Sequence, residues 1–367
     1  SVGWGKMVKL PLHHSMAKNP YSELPPSAFW KSGVAQENPN SIEGIYNKKF
    51  DIFPDAKIAT AGSCFAQHIS RHLMNNGYKV LDVEPPPPGL PETMHQKFGF
   101  SMYSARYGNI YTVRQLLQLA QEVAGKWTPQ NYIWPKNAKF VDALRPAVEP
   151  EGLDSPEEVL QQRQFHIARV RKLFEELDVF IFTLGLTEMW IHKESGTVYP
   201  TAPGTIAGEF DDNLYEFKIA QFAEIIRDFN LFGKVLRENI RGGKPYKCIL
   251  TVSPVPLTAT ASGKHVLVST AYSKSTLRSV AGQLSMNQAS VDYFPSYEIV
   301  MNPRMHSVAF SDNLRSVRPE TVELVMSHFF DQHPILDQKH KSSHSKFNKN
   351  NMERLQCEEA LMEAFSK

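Results

Sequence analysis

Short apolar runs alternate along the chain with longer segments whose apolar residues recur with a helical period. Phe65, Ile69 and Leu73, four residues apart, show that period directly after an apolar run. The apolar runs predict strands at 57–61, 78–83, 178–184, 246–252 and 297–301. The helical periods predict helices at 64–76, 112–124, 155–177, 214–240, 272–286 and 318–330. This alternation indicates an α/β fold, a three-layer α/β/α sandwich with a mostly parallel five-stranded sheet.

The composition along the chain divides it into three parts. Residues 1–50 are rich in Pro, Asn and Ser and carry irregularly spaced aromatic residues, which predicts an extended N-terminal arm packed on the core. Residues 51–335 hold the alternating pattern and form the predicted α/β domain. Residues 336–367 begin polar and basic, which predicts a linker, and end in a short amphipathic helix at 351–365.

Apolar residues make up 42% of the chain, enough for a sizeable core, but no apolar run is long enough for a membrane span. A net charge of +2 argues against a dedicated nucleic-acid binder. Three cysteines do not make a disulfide framework, so a reducing, cytoplasmic setting is expected. Their wide spacing does not fit a metal site, and no glycine-rich phosphate loop follows the first strand. We therefore expect no metal and no cofactor.

The junction between the first strand and the first helix carries Gly62, Ser63 and Cys64. Unpaired N–H groups and the helix dipole favour negative charge at a helix N-terminus. A cysteine placed there has its thiolate stabilised, which makes Cys64 a candidate nucleophile. The alternative is a small, buried, inert Cys64 behind a helix-capping Ser63.

The stretch Gly62-Ser63-Cys64-Phe65-Ala66 resembles the motif of the GSCFA family, and Tyr293-Phe294-Pro295-Ser296-Tyr297-Glu298 resembles another phrase of it. That family is similar to the SGNH/GDSL group of hydrolases and acyltransferases, and the likeness covers residues 19 to about 330. The resemblance implies an SGNH-hydrolase-like fold and places Cys64 at the position of the group's nucleophilic serine. Whether Ser63 or Cys64 is the nucleophile stays open at this point.

The resemblance also implies groups that bind an oxyanion or the substrate. Gly108, beside Asn109, matches the oxyanion-hole glycine. The group's Gly-x-Asn-Asp block reads Gly185-Leu186-Thr187-Glu188 here. A threonine hydroxyl can still donate to an oxyanion, so Thr187 is a candidate oxyanion donor. Glu188 is a candidate catalytic residue that orients a histidine or binds the substrate.

The catalytic base is where this sequence departs from the group's pattern. Arg315 stands at the offset of the usual histidine, and an arginine cannot accept a proton. His265, in the loop after strand 246–252, is the first candidate for the base, and His306 is the second. The third possibility is that the thiolate forms without a base.

These observations predict an acyl-transfer enzyme, an esterase, thioesterase or O-acyltransferase, with a cysteine nucleophile. The resemblance suggests a small-molecule or glycan substrate and an acyl-thioester donor. The alternative is a non-catalytic protein on the same fold, in which Arg315 and Arg318 bind an anionic ligand.

Overall fold

The computed structural model describes residues 19–335 and 357–366. The chain divides into two compact units, Ser1–Ile45 and Tyr46–Lys367. The described part of the first unit holds a 3₁₀ turn at Pro26–Ala28 and a π-helical turn at Lys31–Ala35. The predicted packing of an arm of residues 1–50 on the core stays a prediction.

The second unit carries the strands and the helices of regular α geometry. Its strands are β1 (Ile58–Gly62), β2 (Ile133–Lys136), β3 (Lys139–Asp142), β4 (Val179–Leu184), β5 (Glu188–His192), β6 (Val198–Tyr199), β7 (Tyr215–Ile219), β8 (Lys247–Val252) and β9 (Val291–Tyr293). Its α-helices are α1 (Phe65–Asn75), α2 (Glu92–His95), α3 (Val113–Val123), α4 (Pro156–Glu176), α5 (Phe222–Val235), α6 (Val266–Asn287), α7 (Ser296–Val300) and α8 (Pro319–Gln332).

The central sheet of the second unit has four parallel strands in the order β1-β4-β8-β9. The α/β class is therefore confirmed, but the count of five strands is not. The segment predicted at 78–83 adds only one parallel bridge, between Ile58 and Val80, because the chain then turns away and Val83 N–H donates to the carbonyl of Ser104 over 2.9 Å.

The last predicted strand, at 297–301, is helical. It forms the single-turn helix α7, in which Met301 N–H donates to the carbonyl of Tyr297 over 2.9 Å. Pro295 precedes this turn, and a proline at a helix start lacks only an N–H that would be unpaired there. The fourth strand is instead β9, three residues that pair with β8.

The sheet buries both faces against helices, which fits a parallel sheet. Successive strand side chains point to opposite faces. The residues on one face share a single apolar core with α3, α4, α5 and α6 and include Ala59, Ala61, Phe180, Phe182, Leu184, Leu250 and Val252. On the other face, the Thr60 hydroxyl donates to Ser70 of α1 over 3.1 Å, and Thr251 contacts Ser296 of α7 at 2.5 Å. Helices thus flank the sheet on both sides.

A second, antiparallel sheet in the order β6-β5-β7 follows the carboxyl end of β4. The sequence predicted a helix at 214–240, but its first part is strand β7, since Tyr215, Phe217 and Ile219 alternate with polar residues. The helix begins at Phe222, where the Glu224 carboxylate accepts from Gln221 N–H over 2.9 Å.

The C-terminal helix predicted at 351–365 falls partly outside the described residues. Its described part is a 3₁₀ helix at Glu358–Phe365. We call residues 357–366 the C-terminal segment. Within the residues that the structure describes, no helix combines the length and apolar character needed to cross a membrane.

Candidate functional site

The turn from β1 into α1 fixes the position of Cys64. Gly62 has a φ of +138°, and a Cβ there would lie 2.7 Å from the backbone nitrogen of Thr183 in β4, so only glycine fits. Ser63 N–H donates to the carbonyl of Thr183 over 3.1 Å, which ties the turn to the neighbouring strand. Cys64 is the N-cap residue of α1 and is 3% exposed. Its thiol therefore stands at the N-terminus of an eleven-residue helix, where a thiolate is favoured.

Ser63 faces a different neighbour. A Cβ added to Gly185, just beyond β4, would lie 2.7 Å from the Ser63 Cβ, so the two residues are in close contact. The Ser63 hydroxyl is buried and has no hydrogen-bond partner among the described residues. A serine nucleophile needs a base within hydrogen-bond reach. No base lies within hydrogen-bond reach of the Ser63 hydroxyl among the described residues.

Asn109 is oriented by a buried hydrogen-bond network beside the turn. Its Oδ1 accepts from Gln67 Nε2 over 3.2 Å and from the hydroxyl of Tyr103. The carbonyl of Ser63 lies 3.1 Å from the same Tyr103 hydroxyl, which shares its one hydrogen between the two acceptors. Because these donors occupy Oδ1, the Asn109 amide group presents Nδ2 as a donor on its other side.

Two donors converge on one oxygen of the C-terminal segment. Asn109 Nδ2 donates to Oε2 of Glu358, and the Tyr111 hydroxyl donates to the same atom over 2.8 Å. Gly108 lies against the other carboxylate oxygen, since a Cβ added to it would be 3.7 Å from Glu358 Oε1. Glu358 is 3% exposed, and burial raises the pKa of its carboxyl. Two donors therefore meet one oxygen here. The sequence predicted Gly108 and Asn109 as candidates for binding an oxyanion, and it did not predict Tyr111 or Glu358.

Cys357, the residue before Glu358, contacts Cys64, the candidate nucleophile. The Cys64 thiol donates a hydrogen bond to the Cys357 sulfur, which also lies 3.7 Å from the Tyr111 hydroxyl. The hydrogen bond from Cys64 is the largest influence on the pKa of Cys357 and lowers it to about 7, with smaller help from Tyr111 and Arg315 against burial and Glu358. The Cys357 thiol therefore loses its proton more readily than a free thiol does.

Arg315 contacts the C-terminal segment. Its guanidinium donates to the carbonyl of Pro256 over 3.2 Å and to the Glu363 carboxylate over 3.4 Å. Its positive charge is among the influences that lower the pKa of Cys357. The residue that cannot serve as a base thus stabilises the thiolate beside Cys64.

Thr187 and Glu188 lie just beyond β4 in different surroundings. Thr187 is fully buried, and its hydroxyl donates to Ser273 of α6 over 3.1 Å. Glu188, the first residue of β5, is half-buried and accepts from the Thr260 hydroxyl over 2.7 Å. Burial raises the pKa of Glu188. Thr187 is therefore engaged with α6, whereas Glu188 faces a cavity.

The cavity that Glu188 faces has a volume of about 180 Å³. Its walls are mostly apolar, and Tyr111 belongs both to these walls and to the contacts of Cys357 and Glu358. Met362 of the C-terminal segment also lines it. The other lining residues that matter here are Leu186, Glu188, Trp190, Phe217 and Leu257. An apolar cavity of this kind suits the hydrocarbon part of a ligand.

The described contacts of the candidate histidines do not include Cys64 or Cys357. His265 is exposed and is the N-cap residue of α6, where its Nδ1 accepts from Leu267 N–H over 3.1 Å. His306 is exposed as well. His68 on α1 is buried, and burial lowers its pKa to about 3. The role of His265 as base stays a prediction. The described residues contain no group of three or more His, Cys, Asp or Glu side chains arranged to hold a metal ion.

The chain belongs to the GSCFA family, whose model matches residues 57–329. No curated protein and no solved structure matches the chain. The matched range includes the β1–α1 turn, Asn109, Tyr111, Glu188 and Arg315, and ends before the C-terminal segment.

Proposed function

We propose that this member of the GSCFA family is an acyl-transfer enzyme that acts on ester or thioester bonds with Cys64 as its nucleophile. The observation that carries the proposal is the hydrogen-bonded pair of Cys64 and Cys357, in which the pKa of Cys357 is lowered to about 7. The thiolate, not the thiol, attacks carbonyl carbon. In the pair the Cys357 thiolate accepts the proton of Cys64 as Cys64 attacks, so the reaction needs no histidine at the position of Arg315.

The proton on Cys64 moves within the pair. As the Cys64 sulfur attacks the acyl carbonyl, its proton passes to the Cys357 thiolate along their hydrogen bond, and the carbonyl oxygen takes up the negative charge. Collapse of this intermediate breaks the bond to the alcohol or thiol leaving group. The leaving group takes the proton back from Cys357, and the acyl group remains on Cys64 as a thioester. Water or an acceptor hydroxyl then attacks that thioester.

Asn109 and Tyr111 supply the oxyanion hole. Both donate to one carboxylate oxygen of Glu358, which stands in for the oxyanion of the reaction intermediate. The Glu358 side chain rotates away when a substrate carbonyl enters, while Cys357 keeps its contact with Cys64. Gly108 leaves room there because it has no Cβ, and the apolar cavity beside Tyr111 takes the acyl chain.

The proposed superfamily and substrate class rest on the resemblance of the sequence motifs to the SGNH/GDSL group. We place the chain in the SGNH/GDSL group, with the nucleophile after the first strand and Gly185-Leu186-Thr187-Glu188 after β4. A small-molecule or glycan acceptor and an acyl-thioester donor fit this group by analogy alone. A reducing cytoplasm suits three free cysteines.

The test is to detect the acyl-enzyme. The full chain is incubated with an aryl ester and with a set of acyl-thioesters, quenched in acid, and mapped by peptide mass spectrometry. We expect the acyl mass on Cys64, its loss in Cys64→Ser, and its presence in Cys248→Ser, because Cys248 is buried in β8 with a raised pKa. An acyl group on another residue, or none with any donor, overturns the proposal.

The second candidate is a ligand-binding protein without catalysis. The observation that favours it is the exposed, helix-capping position of His265 together with Arg315 at the histidine offset. In that case the donor binds without any covalent change on Cys64. Equilibrium binding of the acyl-thioester in the absence of an acyl-enzyme would identify this outcome.

A further inference from the structure

The C-terminal segment places Cys357 beside Cys64, although the two cysteines lie far apart in the sequence. We propose that Cys64 and Cys357 form an oxidisable dithiol site, at which a hydroperoxide closes an intramolecular disulfide. The two thiols share a hydrogen bond, both lie near Tyr103, and Cys357 contacts the Tyr111 hydroxyl. A disulfide requires the two sulfurs to come within bonding distance, about 2 Å. Thiols that already share a hydrogen bond need only a small movement to reach it.

Cys357 is the thiol that reacts first. It is partly exposed, whereas Cys64 is 3% exposed, so a small hydroperoxide meets Cys357 before Cys64. The contact with Cys64 and the nearby Arg315 charge favour the thiolate form of Cys357, which is the form that attacks peroxide oxygen. Low pKa and accessibility next to a resolving thiol are the properties of redox-active cysteines.

The first step forms an S–O bond and breaks the O–O bond of the hydroperoxide. The Cys357 thiolate attacks the terminal oxygen, and the displaced alkoxide or hydroxide leaves as an alcohol or water after protonation. The Tyr111 hydroxyl, 3.7 Å from the Cys357 sulfur, is placed to deliver that proton, and it regains one from solvent. Cys357 is then a sulfenic acid, oxidised by two electrons, and the peroxide is reduced by two.

The second step forms the S–S bond and breaks the S–O bond. The Cys64 sulfur attacks the Cys357 sulfenic sulfur, the Cys64 proton goes to the departing hydroxide, and water leaves. The helix N-terminus at Cys64 favours the thiolate that this attack requires. Two thiols and one hydroperoxide thus give one disulfide, one water and one alcohol or second water.

The third cysteine is an internal control. Cys248 lies in the middle of the sheet core on β8, is 2% exposed, and has a pKa raised by burial. It should neither react with a small peroxide nor join a disulfide.

The disulfide would also fasten the C-terminal segment over the site. The segment already contacts Arg315 through Glu363 and the apolar cavity through Met362. A covalent bond at Cys357 prevents the segment from leaving and removes the Cys64 nucleophile at the same time. The dithiol site itself does not depend on the proposed acyl transfer, because its detection requires no acyl donor.

The experiment counts thiols on the full chain. The reduced protein is treated with hydrogen peroxide in a slight excess, alkylated in denaturant, and mapped without reduction. We expect two of the three thiols to become unavailable, one cross-linked peptide pair that contains Cys64 and Cys357, and full recovery with dithiothreitol.

Three variants test the assignment of roles. Cys64→Ser should stop at a sulfenic acid on Cys357 that dimedone traps, Cys357→Ser should give no disulfide, and Cys248→Ser should behave as wild type. Circular dichroism checks that each variant is folded. A cross-link through Cys248, disulfides only between chains, or a sulfinic acid on Cys357 of the wild-type chain without a cross-link overturns the proposal.

Discussion

Tyr111 donates its hydroxyl hydrogen to the Glu358 carboxylate over 2.8 Å, at the oxygen that also accepts from Asn109. Two donors on one oxygen beside a thiol make a ready site for an oxyanion. We predict that Tyr111→Phe lowers the rate of Cys64 acylation by about 10²-fold or more, as loss of one oxyanion donor does. Single-turnover acylation with an aryl ester measures it. The exposed Tyr272→Phe serves as the matched control, and an unchanged rate in Tyr111→Phe would remove Tyr111 from the hole.

The thiol pair predicts a pH profile. Four groups face Cys357. The hydrogen bond from Cys64, with smaller contributions from Tyr111 and Arg315, lowers its pKa to about 7 against burial and the charge of Glu358. Acylation of the wild-type chain should therefore rise as the pH passes through about 7 and level off above it. In Cys357→Ser the profile should move up toward the free thiol value of about 8.5, with roughly tenfold less thiolate at neutral pH.

The pH profile is measured as acylation rate from mildly acidic to mildly basic pH, with Cys248→Ser as the control. Cys248 is buried and its pKa is raised, so its loss should leave the profile in place. If Cys357→Ser keeps the wild-type profile, the thiolate of the site does not depend on the pair.

Glu188 is expected to bind the substrate in the cavity. It is half-buried among apolar walls, and its carboxylate accepts from Thr260 over 2.7 Å. We predict that Glu188→Gln raises KM for the preferred substrate by about tenfold or more, since a hydrogen bond to a charged group is worth roughly 1.5–3 kcal/mol, and leaves the melting temperature unchanged. Steady-state kinetics and a thermal scan test this. Equal KM for both proteins would place the substrate elsewhere.

His265→Ala distinguishes two sources of the base. In the structure the His265 Nδ1 accepts from Leu267 N–H and caps α6. We therefore expect this variant to lose about 1 kcal/mol of folding stability, as for loss of a helix cap, and to keep its acylation rate within a few-fold. A drop of about 10²–10⁴ in rate with unchanged stability would instead identify His265 as the base. His306→Ala is the parallel variant for the second histidine.

Local sequence patterns predicted those elements whose structure depends mainly on the residues within them. The apolar run at 179–184 is buried on every residue and forms the second strand of the sheet, as its composition indicates. The β1–α1 turn was recognisable because a buried strand, a glycine and a helical period follow one another. Where the sequence prediction was wrong, as at 297–301, the apolar run was too short to separate strand from helix, and tertiary packing decided.

Only part of the candidate site could be predicted from the sequence, because some of its residues come from distant parts of the chain. Cys64, Gly108 and Asn109 sit in motifs that the chain displays locally. Cys357 and Glu358 reach the site through a contact between distant parts of the chain, and no periodicity relates them to Cys64. The one signal available was a third cysteine, followed by an acid, in a chain whose candidate nucleophile lacked a base.

The residues that match the family end at 329, whereas Cys357 and Glu358 lie beyond that boundary. A chain can therefore match the family model and still lack the residues that correspond to Cys357 and Glu358. A relative that shares the β1–α1 turn but ends before a cysteine of this kind would carry a solitary thiol, without the partner that lowers a pKa here. The proposed acyl transfer should therefore be expected only in those members whose sequence beyond the shared domain supplies that second sulfur.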